Sequence, residues 1–233
     1  MKKIFGVVGG MGPLASAEFL KTIYEQSLGG LEQHSPIVMV YSDPTVPDRT
    51  EALLTGSSDV LLGELTKAIR SLRQLGASRI ALCCMTIHYL LPKLPLDLRE
   101  SVVSLLDVAY AGIAQSRKRH LLICSKGTRE LRLFEAHPQW EQAKSRIVLP
   151  DERDQERIHH DLIYPIKGNA DRRELLALLE SLLAKYEVDS FIAGCSEVHI
   201  LAKAVARAGG PKNGDRCIDP LTILARELGQ GRL

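Results

Sequence analysis

Short β-branched or apolar runs alternate with longer amphipathic segments along this chain, and that rhythm restricts its fold more than any other feature. The runs KIFGVVGG (3–10), PIVMVYS (36–42), SRIALCC (78–84), RHLLICS (119–125), SRIVLP (145–150) and VDSFIAGC (188–195) read as strands. Most are apolar nearly throughout rather than alternating, the pattern of strands buried on both faces. Helical spacing covers residues 13–28, 60–76 (closed by Gly76) and 172–187, with further helices expected over about 98–115 and from about 127. Short strands separated by helices predict a parallel sheet covered on both faces, an α/β architecture.

Composition narrows the function. The chain has 233 residues, 45% hydrophobic and 25% charged, with a formal net charge of +2. That charge is too small to argue for nucleic acid or a membrane surface as partner. The densest basic cluster, SRKRH (116–120), directly precedes an apolar run and reads as a solvated strand entry. No stretch approaches the roughly 18 uninterrupted apolar residues of a transmembrane helix. In MKKIFGVVGG the apolar run after the lysines is broken by glycine too early for a signal peptide. Five cysteines without C-x-x-C spacing fit reduced thiols, so a cytoplasmic protein is expected.

Two of those cysteines carry the chemistry. Shifting residues 80–90 by 111 positions lays them on 191–201, so that Cys84 meets Cys195, Ile87 meets Val198, His88 meets His199 and Leu90 meets Leu201. GVVGGMGPLAS and LLICSKGTREL likewise both read as strand, glycine turn and helix start, which suggests two related halves facing each other across a cleft. In parallel sheets ligands sit beyond the carboxyl ends of strands, where helix N-termini point and lower a thiol's pKa from about 8.5. A thiol on each side of a small molecule can remove a proton from one face and return one to the other. Cys83, Cys124 and Cys217 read instead as small core hydrophobes. A zinc reading of the two C-x-x-x-H pairs exists, but both cysteines end apolar strands rather than knuckles. GMGPLA (10–15) formally matches a dinucleotide fingerprint, yet Pro13 occupies the turn and Asp43 lies 31 positions after Gly12, where about 20 is expected. The histidines read as packing or orienting groups.

Several motifs together resemble the cofactor-independent aspartate/glutamate racemase family over nearly the whole chain. GGMGPLAS (9–16) resembles the family's GGMGP opening, and SDPTVPDRT (42–50) its S-x-P-x-[IV]-[PD]-x-R-T stretch. CMTIHY (84–89) resembles C-N-T-A-H-Y, and GCSEVHIL (194–201) resembles G-C-T-E-L-P-L; SKGT (125–128) and Lys167–Gly168 also fall where the family has similar residues. The resemblance implies two similar doubly wound α/β domains with mainly parallel sheets and the active site between them. One would hold residues 1–98 plus 209–233, the other 99–208. It makes Cys84 and Cys195 the acid–base pair, with no cofactor and no metal. Arg49 and Lys167 would hold substrate carboxylates, Thr86, Thr128 and Ser196 would donate hydrogen bonds, Glu197 would orient its loop, and Met11 would face the cleft. Without the family, Arg49 and Lys167 also read as solvated charges, and Thr86 and Ser196 as helix N-caps.

Two positions depart from the pattern. Met85 replaces the usual asparagine after the first cysteine, so it lines the substrate site without offering an amide. His199 stands where the family usually has proline. The function implied is interconversion of L- and D-aspartate, with glutamate as a second substrate, in a homodimer. The alternatives are isomerisation or decarboxylation of a non-amino dicarboxylic acid on the same scaffold, or a carboxylate-binding protein without catalysis.

Overall fold

The computed structural model describes residues 3–27, 31–208 and 216–232. Among these residues, eight strands form two four-stranded parallel sheets. The first contains β1 (Ile4–Gly9), β2 (Ile37–Ser42), β3 (Ala77–Leu82) and β4 (Val102–Val103), in the order β2-β1-β3-β4. The second contains β5 (His120–Cys124), β6 (Ile147–Val148), β7 (Phe191–Gly194) and β8 (Cys217–Ile218), in the order β6-β5-β7-β8. The orders are identical once the second set is renumbered, so the internal repeat expected from the two cysteine motifs is a repeat of topology.

Side-chain alternation on the strands builds three apolar layers. Phe5 and Val7 of β1, Leu122 and Cys124 of β5 and Ile192 of β7 face a shared central core. Helices Pro13–Ser27, Leu105–Gln115 and Pro220–Gly229 fill it, through Phe19, Tyr110 and Leu224 among others. The opposite face of the first sheet packs on helix Ser58–Gln74, and that of the second on helix Arg172–Lys185. Each leucine or isoleucine buried this way contributes roughly 1.5–3 kcal/mol. Cys83 and Cys124 are wholly buried in the central core, which agrees with their reading as small hydrophobes.

Several boundaries differ from expectation. The helix expected over about 98–115 is interrupted by β4, because Ile80 and Ala81 pair with Val102 and Val103. The first sheet therefore extends past residue 98. Conversely β8 pairs with β7, so the C-terminal segment adds a strand to the second sheet before its helix returns to the first helix of the chain. Residues 209–215 and 233 of the expected first domain, and Leu28 of the first helix, lie outside the described residues. No described helix is long and apolar enough to cross a membrane.

Candidate active site

The loops after β1, β3, β5 and β7 carry most of the candidate residues, with Arg49 following β2 and Lys167 following β6. Cys84 lies two residues beyond β3 and Cys195 directly follows β7, the equivalent strand of the other unit. Both thiols are nearly closed off, at 6% and 7% exposure. Burial is the main force pushing each above the ordinary cysteine value, and each is pushed further by the Glu197 carboxylate. They also feel one another: the charge of Cys84 adds to the upward shift of Cys195.

Their other neighbours differ in sign. Arg49 and Lys167 act on Cys84 to favour its thiolate. The Cys195 thiol donates to Glu197 Oε2 at 2.8 Å, and Ser196 Oγ donates to the same oxygen at 3.2 Å. Lys167 opposes the rise at Cys195, but burial and Glu197 leave that thiol well above its ordinary range. Glu197 is 2% exposed, and its Oε1 has no hydrogen-bond partner. A Cβ placed on Gly12 would lie 2.3 Å from that oxygen, so the glycine is what lets the carboxylate approach the β1 loop. An anionic neighbour there also speaks against a phosphate in the GMGPLA turn.

Arg49 begins helix Arg49–Leu54, after Asp48, whose side chain caps it by accepting from the Glu51 N–H. Its Nη1 donates to the carbonyls of Val46 and Pro47 at 3.2 and 2.9 Å, and its Nη2 to the Met11 carbonyl at 3.1 Å. The Nε–H is buried without a hydrogen-bond partner. Met11 thus supplies a carbonyl that orients Arg49, while its side chain is 3% exposed in the outer core of the first unit. Lys167 lies 3.8 Å from Asp48 Oδ2 and 4.6 Å from the centre of the Tyr164 ring. Burial works to lower its ammonium, but Glu197, Cys195 and Asp48 together raise it above the usual lysine value. It stays charged.

Thr86 and Thr128 meet, 2.9 Å apart, and Ser125 Oγ completes a hydroxyl trio at 2.9 Å from Thr86 and 3.1 Å from Thr128. Thr86 comes from the β3 loop and the other two from the β5 loop, so the trio joins the two units. Neither Thr86 nor Ser196 caps its helix; their hydroxyls serve these side-chain contacts instead. Gly127 permits the junction, since a Cβ there would sit 2.7 Å from Thr50 Oγ1. Met85 is 2% exposed and belongs to the central core with Cys83 and Phe134. Its side chain packs there on the other side of the first sheet from Cys84, which belongs to the outer core.

Asp48, Tyr164, Gly12 and Ser125 complete the site but were not singled out from sequence. Asp48 adjoins Arg49 in PDRT and had a signal as a helix cap; Tyr164, on the short helix Tyr164–Lys167, had none. Among the described residues no group of three or more His, Cys, Asp and Glu side chains is placed to hold a metal ion. An open cavity of about 920 Å³ behind helix Lys126–Glu130 includes neither cysteine, and its arginines alternate with glutamates.

Each of two repeated parallel α/β units thus carries a thiol on the matching loop, and Glu197 and Lys167 act on both thiols. The chain belongs to the Asp/Glu/Hydantoin racemase family, which it matches over residues 8–228. It is therefore placed among racemases, which are isomerases. The fold is similar to that of an aspartate racemase from Picrophilus torridus, at 22% identity and a TM-score of 0.82, covering 98% of this chain and 94% of that one. It is also similar to an aspartate racemase homologue from Pyrococcus horikoshii OT3 (20% identity, TM-score 0.67, 99% and 98% covered). A glutamate racemase from Francisella tularensis, solved with D-glutamate, matches at 12% identity and a TM-score of 0.62, with 98% and 80% covered.

Proposed function

We propose that the protein interconverts L- and D-aspartate, with glutamate as a secondary substrate, by proton transfer between Cys84 and Cys195 and without pyridoxal phosphate. The observation that carries this reading is the placement of the two thiols: equivalent loops, opposite units, an electrostatic influence of Cys84 on Cys195 and one carboxylate acting on both. Cys84, favoured as thiolate by Arg49 and Lys167, takes the α-proton; Cys195, held as a thiol by Glu197, delivers its proton to the other face. The turnover leaves Cys84 as thiol and Cys195 as thiolate. Reverse transfer, or exchange of both protons with solvent, resets the pair.

Binding follows from the same residues. The Arg49 guanidinium takes one carboxylate and the Lys167 ammonium offers charge to the other. Their cationic field in a water-poor cleft stabilises the carbanion-like intermediate, the role for which a preorganised site is suited. The homologue names favour aspartate as the first substrate to try.

Incubation with L-aspartate in D₂O tests this directly, with α-deuteration followed by NMR and inversion by circular dichroism. Inversion with solvent deuterium at the α-carbon is expected, and Cys84→Ala and Cys195→Ala should each lower it by about 10²–10⁴-fold. Absence of exchange with both aspartate and glutamate would remove the amino-acid assignment. One observation favours a second reading: Met85 places no amide near the substrate, so a non-amino dicarboxylate is the control to run in parallel.

A further inference from the structure

The two histidines that follow the cysteines by four residues make corresponding contacts that the proton-transfer scheme does not use. His88 is 3% exposed; its Nδ1 lies 2.9 Å from the Cys84 carbonyl, and its Nε2 accepts the Leu105 N–H at 3.0 Å. The second contact fixes the tautomer, so Nδ1–H donates to Cys84. Leu105 is the first residue of helix Leu105–Gln115, and its N–H has no partner within that helix. His199 is fully buried; its Nδ1 donates to Asp219 Oδ2 at 2.6 Å, and its Nε2 lies 2.9 Å from Thr22 Oγ1. Asp219 is the N-cap of helix Pro220–Gly229.

These two helices are topological counterparts, following β4 and β8. Both pack in the central core shared by the two sheets, and they contact each other. Each histidine therefore ties a cysteine loop to the start of a helix at the interface between units. The chemistry of the tie differs for a stated reason. Leu105 has an N–H, so a neutral histidine can accept from it. Pro220 has none, so His199 reaches back to the capping carboxylate instead. Burial opposes ionisation of Asp219, but His199, Thr222 Oγ1 and the Leu221 N–H hold its carboxyl below the usual aspartate value.

We propose that His88 and His199 are paired positioning residues, each fixing its own cysteine loop against an interface helix and thereby setting the two thiols opposite one another. The role rests on the two-thiol reading of the site, but the contacts can be tested without activity. The probe is iodoacetamide, with site-resolved mass spectrometry of Cys84 and Cys195, alongside amide hydrogen exchange of the two helix starts. His88→Ala should speed alkylation of Cys84 about tenfold and exchange over residues 105–108, leaving Cys195 and residues 221–224 within about twofold; His199→Ala should do the reverse. In D₂O each variant should lose inversion about tenfold more than it loses same-face deuteration of one enantiomer, because one thiol is displaced and the other is not. Overall destabilisation would lower both together. If the alanine variants do not fold, His88→Gln and His199→Gln are read the same way, with smaller changes expected. Wild-type protein that exchanges no α-proton defeats the racemase reading and leaves the labelling to judge the ties. Each substitution affecting both thiols equally, or neither, overturns the proposal.

Discussion

The Cys84 and Cys195 half-sites share strand order, loop position and a histidine four residues on, yet the balance of their charged neighbours differs. Cys84 has two cations favouring its charged form, whereas Cys195 hydrogen-bonds a carboxylate that favours its neutral form. In the proposed mechanism, backbone repetition gives the reaction its two faces and the side chains break the symmetry. Burial raises both thiols, but Arg49 and Lys167 ease the charging of Cys84, while Glu197 accepts the hydrogen bond of Cys195 and favours its neutral form.

Removing the cationic side should have the larger effect. Arg49→Ala deletes a charged hydrogen-bond donor to the substrate, worth about 1.5–3 kcal/mol, so kcat/KM should fall by roughly 10–100-fold. The same substitution removes an influence that lowers the Cys84 pKa, so that pKa rises and alkylation of Cys84 at fixed pH slows. Unchanged Cys84 labelling would detach Arg49 from the polarity. Removing the anionic side is the reciprocal experiment. Glu197→Gln withdraws a negative charge that raises Cys195, so its pKa falls, and its alkylation profile moves to lower pH. With Cys195 less firmly protonated, inversion should slow by about tenfold. A profile that does not move would show that the carboxylate has no part in holding the proton.

Much of this comparison was legible in the sequence, for physical reasons. Buried strands write themselves as apolar runs, and a strand end carrying Cys-x-x-x-His twice writes the repeat. Arg49 and Lys167 were found through motif resemblance, because a lone basic residue in a loop has no periodicity to betray it. Two strands were missed because Val102–Val103 and Cys217–Ile218 are too short to show a pattern beside stronger helical signals. That Met85 packs in the central core was hidden, because motif position does not reveal which way a side chain turns once the strand has ended. The sign difference between the half-sites was hidden for a related reason: Glu197 follows Cys195 by two residues, but that its carboxylate folds back onto the thiol depends on the space left by Gly12, remote in the chain.

A smaller contrast separates the units at moderately acid pH. His88 in the first and His120 in the second are both held down to about 4, chiefly by burial, against 6.5 for an unconstrained histidine. The His120 ring lies between Ser190 Oγ at 2.7 Å and Ser116 Oγ at 2.8 Å. Between those pKa values the unfolded chain binds a proton that the folded protein refuses, so stability falls as pH drops from about 6.5 toward 4 and levels off below. The paired carboxylates lose their contribution only as pH passes below about 4.5, which leaves the range from 6.5 to 5 to the histidines. Each should withdraw about 1 kcal/mol at pH 5.5 relative to neutrality. His120→Gln keeps hydrogen-bonding capacity between the serines but cannot titrate. Its Tm should therefore decline less steeply than that of the wild type between pH 7 and pH 5, with His88 and His159, both lowered chiefly by burial, contributing to the remaining slope. Parallel slopes would mean that His120 already takes up its proton in the folded protein and that burial on β5 does not exclude it.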